Sequence, residues 1–325
     1  MSETPGWSSP DQPPNQPQQP PPGYHAPPPP GAQPSIKPGV IPLRPLAVGE
    51  IVDGAIATMR RYPKLIIGAA AVVAALTQII GLLAQLPFLD DVTALATIDP
   101  NALTEEQLAE QLQNSLVSLL GGTLLSLLPL LFGTVFLSGF ITVVVGHAVL
   151  GEPVTFAQAW DEFKPRLLPL LGATLLAGLL ITVGLVFCAV PGVYLWVLFA
   201  LVTPALVLER CGVGTAFGRS KNLVKGAWWR TFGVLLLTVV IGMVISWIIS
   251  LPFQLLGAAS TGFSADPAAA LSIGSLLLST VGAIIASTIT LPFSAAVTVL
   301  LYVDRRMRAE GMDIELQRAA GHGGR

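Results

Sequence analysis

Apolar residues run through this chain in blocks too long for an ordinary core helix, parted by short polar stretches. A helix needs about 20 apolar residues, at about 1.5 Å each, to cross a hydrocarbon core. The first block, 65–86 (LIIGAAAVVAALTQIIGLLAQL), meets that requirement alone. The second, 116–150, overshoots it, and its pattern predicts one tilted or broken span at 123–148, kinked at Pro129, with the preceding part lying at the interface. Residues 167–208 carry no charge and are too many for one crossing. Pro191-Gly192 is the natural turn, giving spans at 167–190 and 192–208. The last two fall at 231–251 and 276–303, the sixth kinked at Pro292. The pattern therefore predicts an all-α, polytopic membrane bundle of six transmembrane helices over 41–320.

Between the blocks the period changes. In 213–228, Val213, Ala216, Phe217, Ser220, Leu223, Val224, Ala227 and Trp228 recur at helical spacing, with Arg219, Lys221 and Lys225 on the flanks. This predicts an elbow helix whose apolar stripe lies in the membrane boundary, with Trp228 and Trp229 at headgroup level. The same design opens at Val48, with Ile51, Val52, Ala55, Met59 and Tyr62 on one face. It opens again at Thr155, where Thr155 and Gln158 suit a capping box ahead of Phe156, Trp160 and Phe163. A fourth begins at Gly311, with Asp313 as a candidate N-cap. Three units, about 48–150, 154–209 and 213–303, would each be an elbow followed by a two-span hairpin. Whether they arose by duplication or by convergence stays open.

Charge then orients the bundle. All 17 Lys and Arg fall in the N-terminal segment, 149–166, 209–230 or the C-terminal tail. The connections at the other end hold acids only: Asp90, Asp91, Asp99, Glu105, Glu106, Glu110 and Asp266. The positive-inside rule puts both termini and the elbows on the cytoplasmic face of the cell membrane. Arg60, Arg61, Lys64, Arg219, Lys221, Lys225, Trp228, Trp229 and Arg230, with Arg305, Arg306 and Arg308, would form a rim against anionic headgroups. Cys188 and Cys211 would lie at opposite ends of one hairpin and cannot pair within a chain.

Composition agrees. Only 11% of residues are charged, against about 25% in soluble domains. The first 39 residues hold 14 of the 28 prolines and almost nothing to bury, so 1–40 reads as a disordered cytoplasmic tail. Its alternative use is docking to a protein partner's aromatic groove. Residues 321–325 form a flexible end. No secretory leader is recognisable.

The stretches PLRPLAVGEIVDGAIATMRRYPK, PGVYLWVLFALVTPALVLERCGVGTAFGRSKNLVKGAWWRTFGVLLL and LYVDRRMRAEGMDIELQRAA resemble a family of actinobacterial multi-pass membrane proteins. Its members are labelled as membrane domains of glycerophosphoryl diester phosphodiesterase or as uncharacterised. The resemblance spans about 41–320 and implies kinship to a membrane region that sometimes accompanies that enzyme. It carries over no functional residue.

Candidate chemistry is sparse. The stretch GVGTAFGRSKN lacks the third glycine of a dinucleotide fingerprint and the lysine of a P-loop. A phosphodiesterase would need a metal-binding acid and histidine cluster, yet only His147 of the three histidines lies in the folded region. No catalytic, cofactor or metal residue is expected. The spans contain no Asp, Glu, Lys or Arg, which weighs against proton coupling. Thr77, Gln78, Gln85, Thr134, Ser138 and Thr142 form either a polar seam or interhelical hydrogen bonds, and the latter is the simpler expectation. Small-residue pairs such as Ala70/Ala74 and Gly282/Ala286 suit close packing inside the bundle, with a homo-oligomer face as the alternative. Nucleic-acid binding is not expected. The sequence thus points to a non-enzymatic membrane protein that organises or assists membrane and envelope components, or to a carrier for a lipid or small solute.

Overall fold

The computed structural model describes residues 39–42, 44–96, 103–263, 269 and 271–310. The tail before Gly39, the elbow expected from Gly311 and the 321–325 end lie outside the described residues. Every regular element described is helical, and six helices are long and apolar enough to cross a membrane.

The elements follow the pattern. Helix α1 (Val48–Arg61) leads through Tyr62 into α2 (Pro63–Gln85), with Pro63 in the first turn, where its missing N–H breaks no helical bond. Short α3 (Leu89–Ala96) follows, then α4 (Glu105–Leu150), started by a Thr104/Gln107 capping box and ended by Gly151 at φ 79°. Next come α5 (Phe156–Phe163), α6 (Leu167–Phe187), α7 (Ala189–Phe199) and α8 (Val202–Leu208). Helices α9 (Val213–Lys225), α10 (Trp228–Ser260) and α11 (Ile273–Glu310) complete the bundle.

Three boundaries differ from expectation. The segment expected at the interface and the second span are one continuous helix: α4 runs 46 residues through Pro129, about 69 Å, and its first part packs against α3. Ser118 Oγ donates to the Asp91 carboxylate at 2.5 Å, and Ser115 Oγ to the Asp91 carbonyl at 2.9 Å. Intrahelical bonding over so oily a run outweighs the one bond that Pro129 removes. The α6–α7 turn falls at extended Cys188, three residues before Pro191, which sits harmlessly in the first turn of α7. There Gly184 and Gly192 let the two backbones meet; a Cβ on Gly184 would stand 3.0 Å from Gly192 Cα. Finally, the fourth span is interrupted at Ala200–Leu201, so α7 and α8 are separate helices.

The core is concentrated toward the end that carries the cations, called here the basic end. Phe140, Ile141, Val144 and Val145 of α4 pack with Leu201 and Leu206 of the α7–α8 segment and with Val297, Leu300 and Leu301 of α11. Gly139 admits α5 and α6 to α4, since a Cβ there would lie 2.7 Å from Leu170 Cδ2 and closer still to Phe163. Toward the opposite end, long apolar side chains of α4, α6 and α10 stay exposed.

The elbows obey their predicted stripes but bury them elsewhere. Ile51 and Ala55 of α1, Ala159 and Phe163 of α5, and Ala216, Leu223 and Val224 of α9 are buried inside the protein. Most of the apolar stripe assigned to the membrane boundary packs on the bundle itself, with Phe156 of α5 left 54% exposed. Three helical stripes beside a bundle with uncovered apolar ends bury more by joining it.

Candidate functional site

The basic end is assembled from charged residues at helix termini. α11 continues beyond its apolar run into Asp304, Arg305, Arg306 and Arg308, so these side chains remain on a rigid helix. Asp304 is fully buried. Its Oδ1 accepts the Leu46 backbone N–H at 2.8 Å and Arg308 Nε at 2.8 Å, while Oδ2 accepts Arg230 Nη2 at 3.1 Å. Both guanidinium groups also donate to the Leu46 carbonyl, at 2.6 and 2.8 Å. One carboxylate thus ties the segment before α1 to α10 and α11. A buried carboxylate is tolerable only when it is paired and hydrogen-bonded in this way, although Arg230 Nε, buried beside it, finds no partner among the described residues.

A second cluster joins α8, α9 and α11. Glu209 receives Arg219 through Nε (3.0 and 2.8 Å) and Nη2 (2.7 Å), and it accepts the Tyr302 hydroxyl. Arg219 also pairs with Glu310, which takes Arg306 Nε at 2.9 Å. Burial alone would raise the Glu209 carboxyl; the hydrogen bonds from Arg219 and Tyr302 reverse that and hold it below the usual carboxylate range. Buried Arg305 donates twice to the Leu223 carbonyl, at 3.0 and 2.9 Å, satisfying an orphan acceptor near the end of α9.

His147 joins a third cluster. Its ring nitrogens face Glu152 Oε2 at 3.0 Å and Glu162 Oε1 at 3.1 Å, and Arg210 lies 3.8 Å from Glu162. A neutral imidazole donates from one nitrogen only, so both contacts are hydrogen bonds when the ring is the cation. The arrangement clasps the end of α4 to α5.

These contacts divide the expected rim in two. Arg219, Arg230, Arg306 and Arg308 are paired with carboxylates while staying about a third exposed, and Arg305 donates to a carbonyl. Trp228 turns inward: it stacks on Phe232 at 5.2 Å and Tyr194 at 5.8 Å. Trp229 is 77% exposed. Arg60, Arg61, Lys64, Lys221 and Lys225 are exposed, and among the described residues no carboxylate stands within 4.0 Å of them. Arg61 lies 5.8 Å from the Tyr62 ring centroid.

Two hollows complete the site. One, of about 260 Å³, lies beside the α7–α8 interruption and gathers Thr134, Ser138 and Thr142 of α4 with Thr203, Ser294 and Thr298. The α4 and α11 hydroxyls donate to carbonyls three or four residues back, for example Thr142 to Ser138 at 2.6 Å, and so turn lone pairs to the hollow. The other is an open trough of about 790 Å³ between α2 and α4. The expected seam is split: Thr77 lines the trough, Gln85 borders a third hollow with Ser118 and Ser126, and half-buried Gln78 lines neither of the first two.

Charge and hydropathy reasoning missed Asp304, Glu209 and Tyr302. The available signal was an acid set against the end of an apolar run, as in LLYVDRR and LVLER.

Residues 101–304, more than half the chain, match a domain of unknown function, DUF7847, and the chain belongs to that family. The match begins just before α4 and ends on Asp304. No solved structure matches the chain. Fold and family together define a multi-pass membrane protein of unknown role.

Proposed function

We propose that this chain is a non-enzymatic, multi-pass protein of the cell membrane, with both termini cytoplasmic, that organises or assists other membrane and envelope components. The observation carrying the reading is the division of the cations. A paired set locks the helices together, and an unpaired set with Trp229 faces outward, where anionic headgroups attract each Lys or Arg by about 1 kcal/mol. The Pro-rich tail supplies a separate docking segment for a cytoplasmic protein. Kinship to the membrane regions labelled glycerophosphoryl diester phosphodiesterase is read here as kinship of the anchor, without the enzyme. Crosslinking with mass spectrometry in cells, with and without residues 1–39, tests the role. Loss of cross-linked proteins with insertion intact is expected; an identical set in both cells counts against the proposal.

A second reading, a carrier for a lipid or small solute, draws on the hydroxyl hollow beside an interrupted helix, an arrangement that solute sites in transporters use. Vesicle flux that disappears in Ser138→Val and Thr203→Val would favour it. Flux equal to that of empty vesicles across neutral and charged solutes would dismiss it.

A further inference from the structure

The trough between α2 and α4 is walled by Leu65, Val72, Leu76 and Ile80 on one side and by Phe132 and Phe136 on the other. Polar side chains are scarce in it. Thr77 donates its hydroxyl to the Ala74 carbonyl at 3.1 Å, and Lys64 stands at one end. From Lys64 to Ile80 the helix rises about 24 Å, more than one leaflet of a hydrocarbon core about 30 Å thick. At Gly68 a Cβ would meet nothing within 4 Å, so the slot is open there. Lys64 is exposed and among the described residues has no carboxylate within 4.0 Å; Arg60 and Arg61 end α1, just across the Tyr62 break, and share that condition.

A long apolar slot with unneutralised cations at one end complements a molecule with a hydrocarbon tail and an anionic head. We propose that the trough holds one acyl chain of an anionic phospholipid, whose phosphate rests on Lys64 with Arg60 and Arg61 beside it. The tail supplies packing to a face that would otherwise have no partner atoms. The phosphate supplies the counter-charge that the protein withholds here and provides for Arg219, Arg230 and Arg308. A neutral lipid would fill the slot and leave the cations bare. The inference rests on the reading of these three cations as lipid-facing, and it adds a defined stoichiometric site.

The full chain, reconstituted in nanodiscs of equal phosphatidylglycerol and phosphatidylcholine and released into mild detergent, would be weighed by native mass spectrometry. Wild type is expected to keep one phosphatidylglycerol at least five-fold more often than phosphatidylcholine. Lys64→Ala should cut the retained phosphatidylglycerol at least five-fold, and Lys64→Arg should restore it. Gly68→Leu fills the slot from its floor and Val72→Trp from its wall; each should remove both lipids, with helicity and melting checked for each variant. Retention in proportion to supply, or retention unchanged by both plugs, overturns the site. A dimer that the plugs split overturns it in favour of a second copy. The broader rim reading fails separately, if Lys221→Ala/Lys225→Ala and Arg60→Ala/Arg61→Ala leave the enrichment of anionic lipid around the protein unchanged.

Discussion

Around Asp304, side chains from α10, α11 and the segment before α1 converge on one carboxylate, while around Phe187 and Val190 the chain turns with its side chains facing outward, 84% and 74% exposed. The first region is held by charge-assisted bonds that cross between elements; the second is held by helix propensity and the Gly184–Gly192 approach. In lipid the hydrophobic effect gives helices little reason to associate, since tails are as apolar as leucine. Shape and polar pairing must then decide where a bundle is tight. Here the charge-assisted pairing lies at the basic end, while the opposite end relies on the Gly184–Gly192 approach and on the Ser115 and Ser118 bonds to Asp91.

The comparison can be broken most directly at its centre. Asp304→Ala leaves Arg230 and Arg308 facing each other without a counter-charge, and it is expected to cost about 3–5 kcal/mol, read as a large drop in the melting point of the full chain in detergent. An unchanged melting point would mean that the cluster is ornamental.

Acid sharpens the same contrast. The Glu209 carboxyl is held below its ordinary value in the folded chain. Its contribution is therefore complete above the unfolded value, about 4.3, and is lost as pH falls toward and through the lowered folded value. The melting point should decline over that acid range in wild type. Glu209→Gln should start lower and decline less, because glutamine keeps the shape without the charge that Arg219 requires. Parallel pH profiles would remove Glu209 from the account.

The smallest effect belongs to the other region. Phe187→Leu changes a side chain that already faces outward, and its effect should stay within about 0.5 kcal/mol. A larger loss would show that a partner or a second copy covers this turn.

Much of the fold was legible because hydropathy is a local signal with a long period. Six apolar runs and three elbow stripes can be counted along the chain, and a capping box such as Thr155/Gln158 names its own helix start. What each stripe touches was not legible. Leu223 looks the same in sequence whether lipid or α11 covers it, and only the closure of α9 on the bundle decides. The site was legible by halves for a related reason. A run of cations announces a basic end, but Arg219 and Lys221 differ only in what lies across from them, and Glu209 reaches Arg219 from ten residues away. Tyr302 comes from 93 residues away, a distance that no periodicity reports.

The uncharged turn at Cys188 gives the molecule a native ruler. Its thiol is exposed at the tip of the α6–α7 hairpin, while Cys211 lies at the base, beyond two helices that together rise about 30 Å, half-buried and with its pKa pushed up by burial. The exposed tip thiol is the more accessible of the two to a reagent that reaches both. A chain that needs no engineered handle can report which side of a membrane its hairpin has reached.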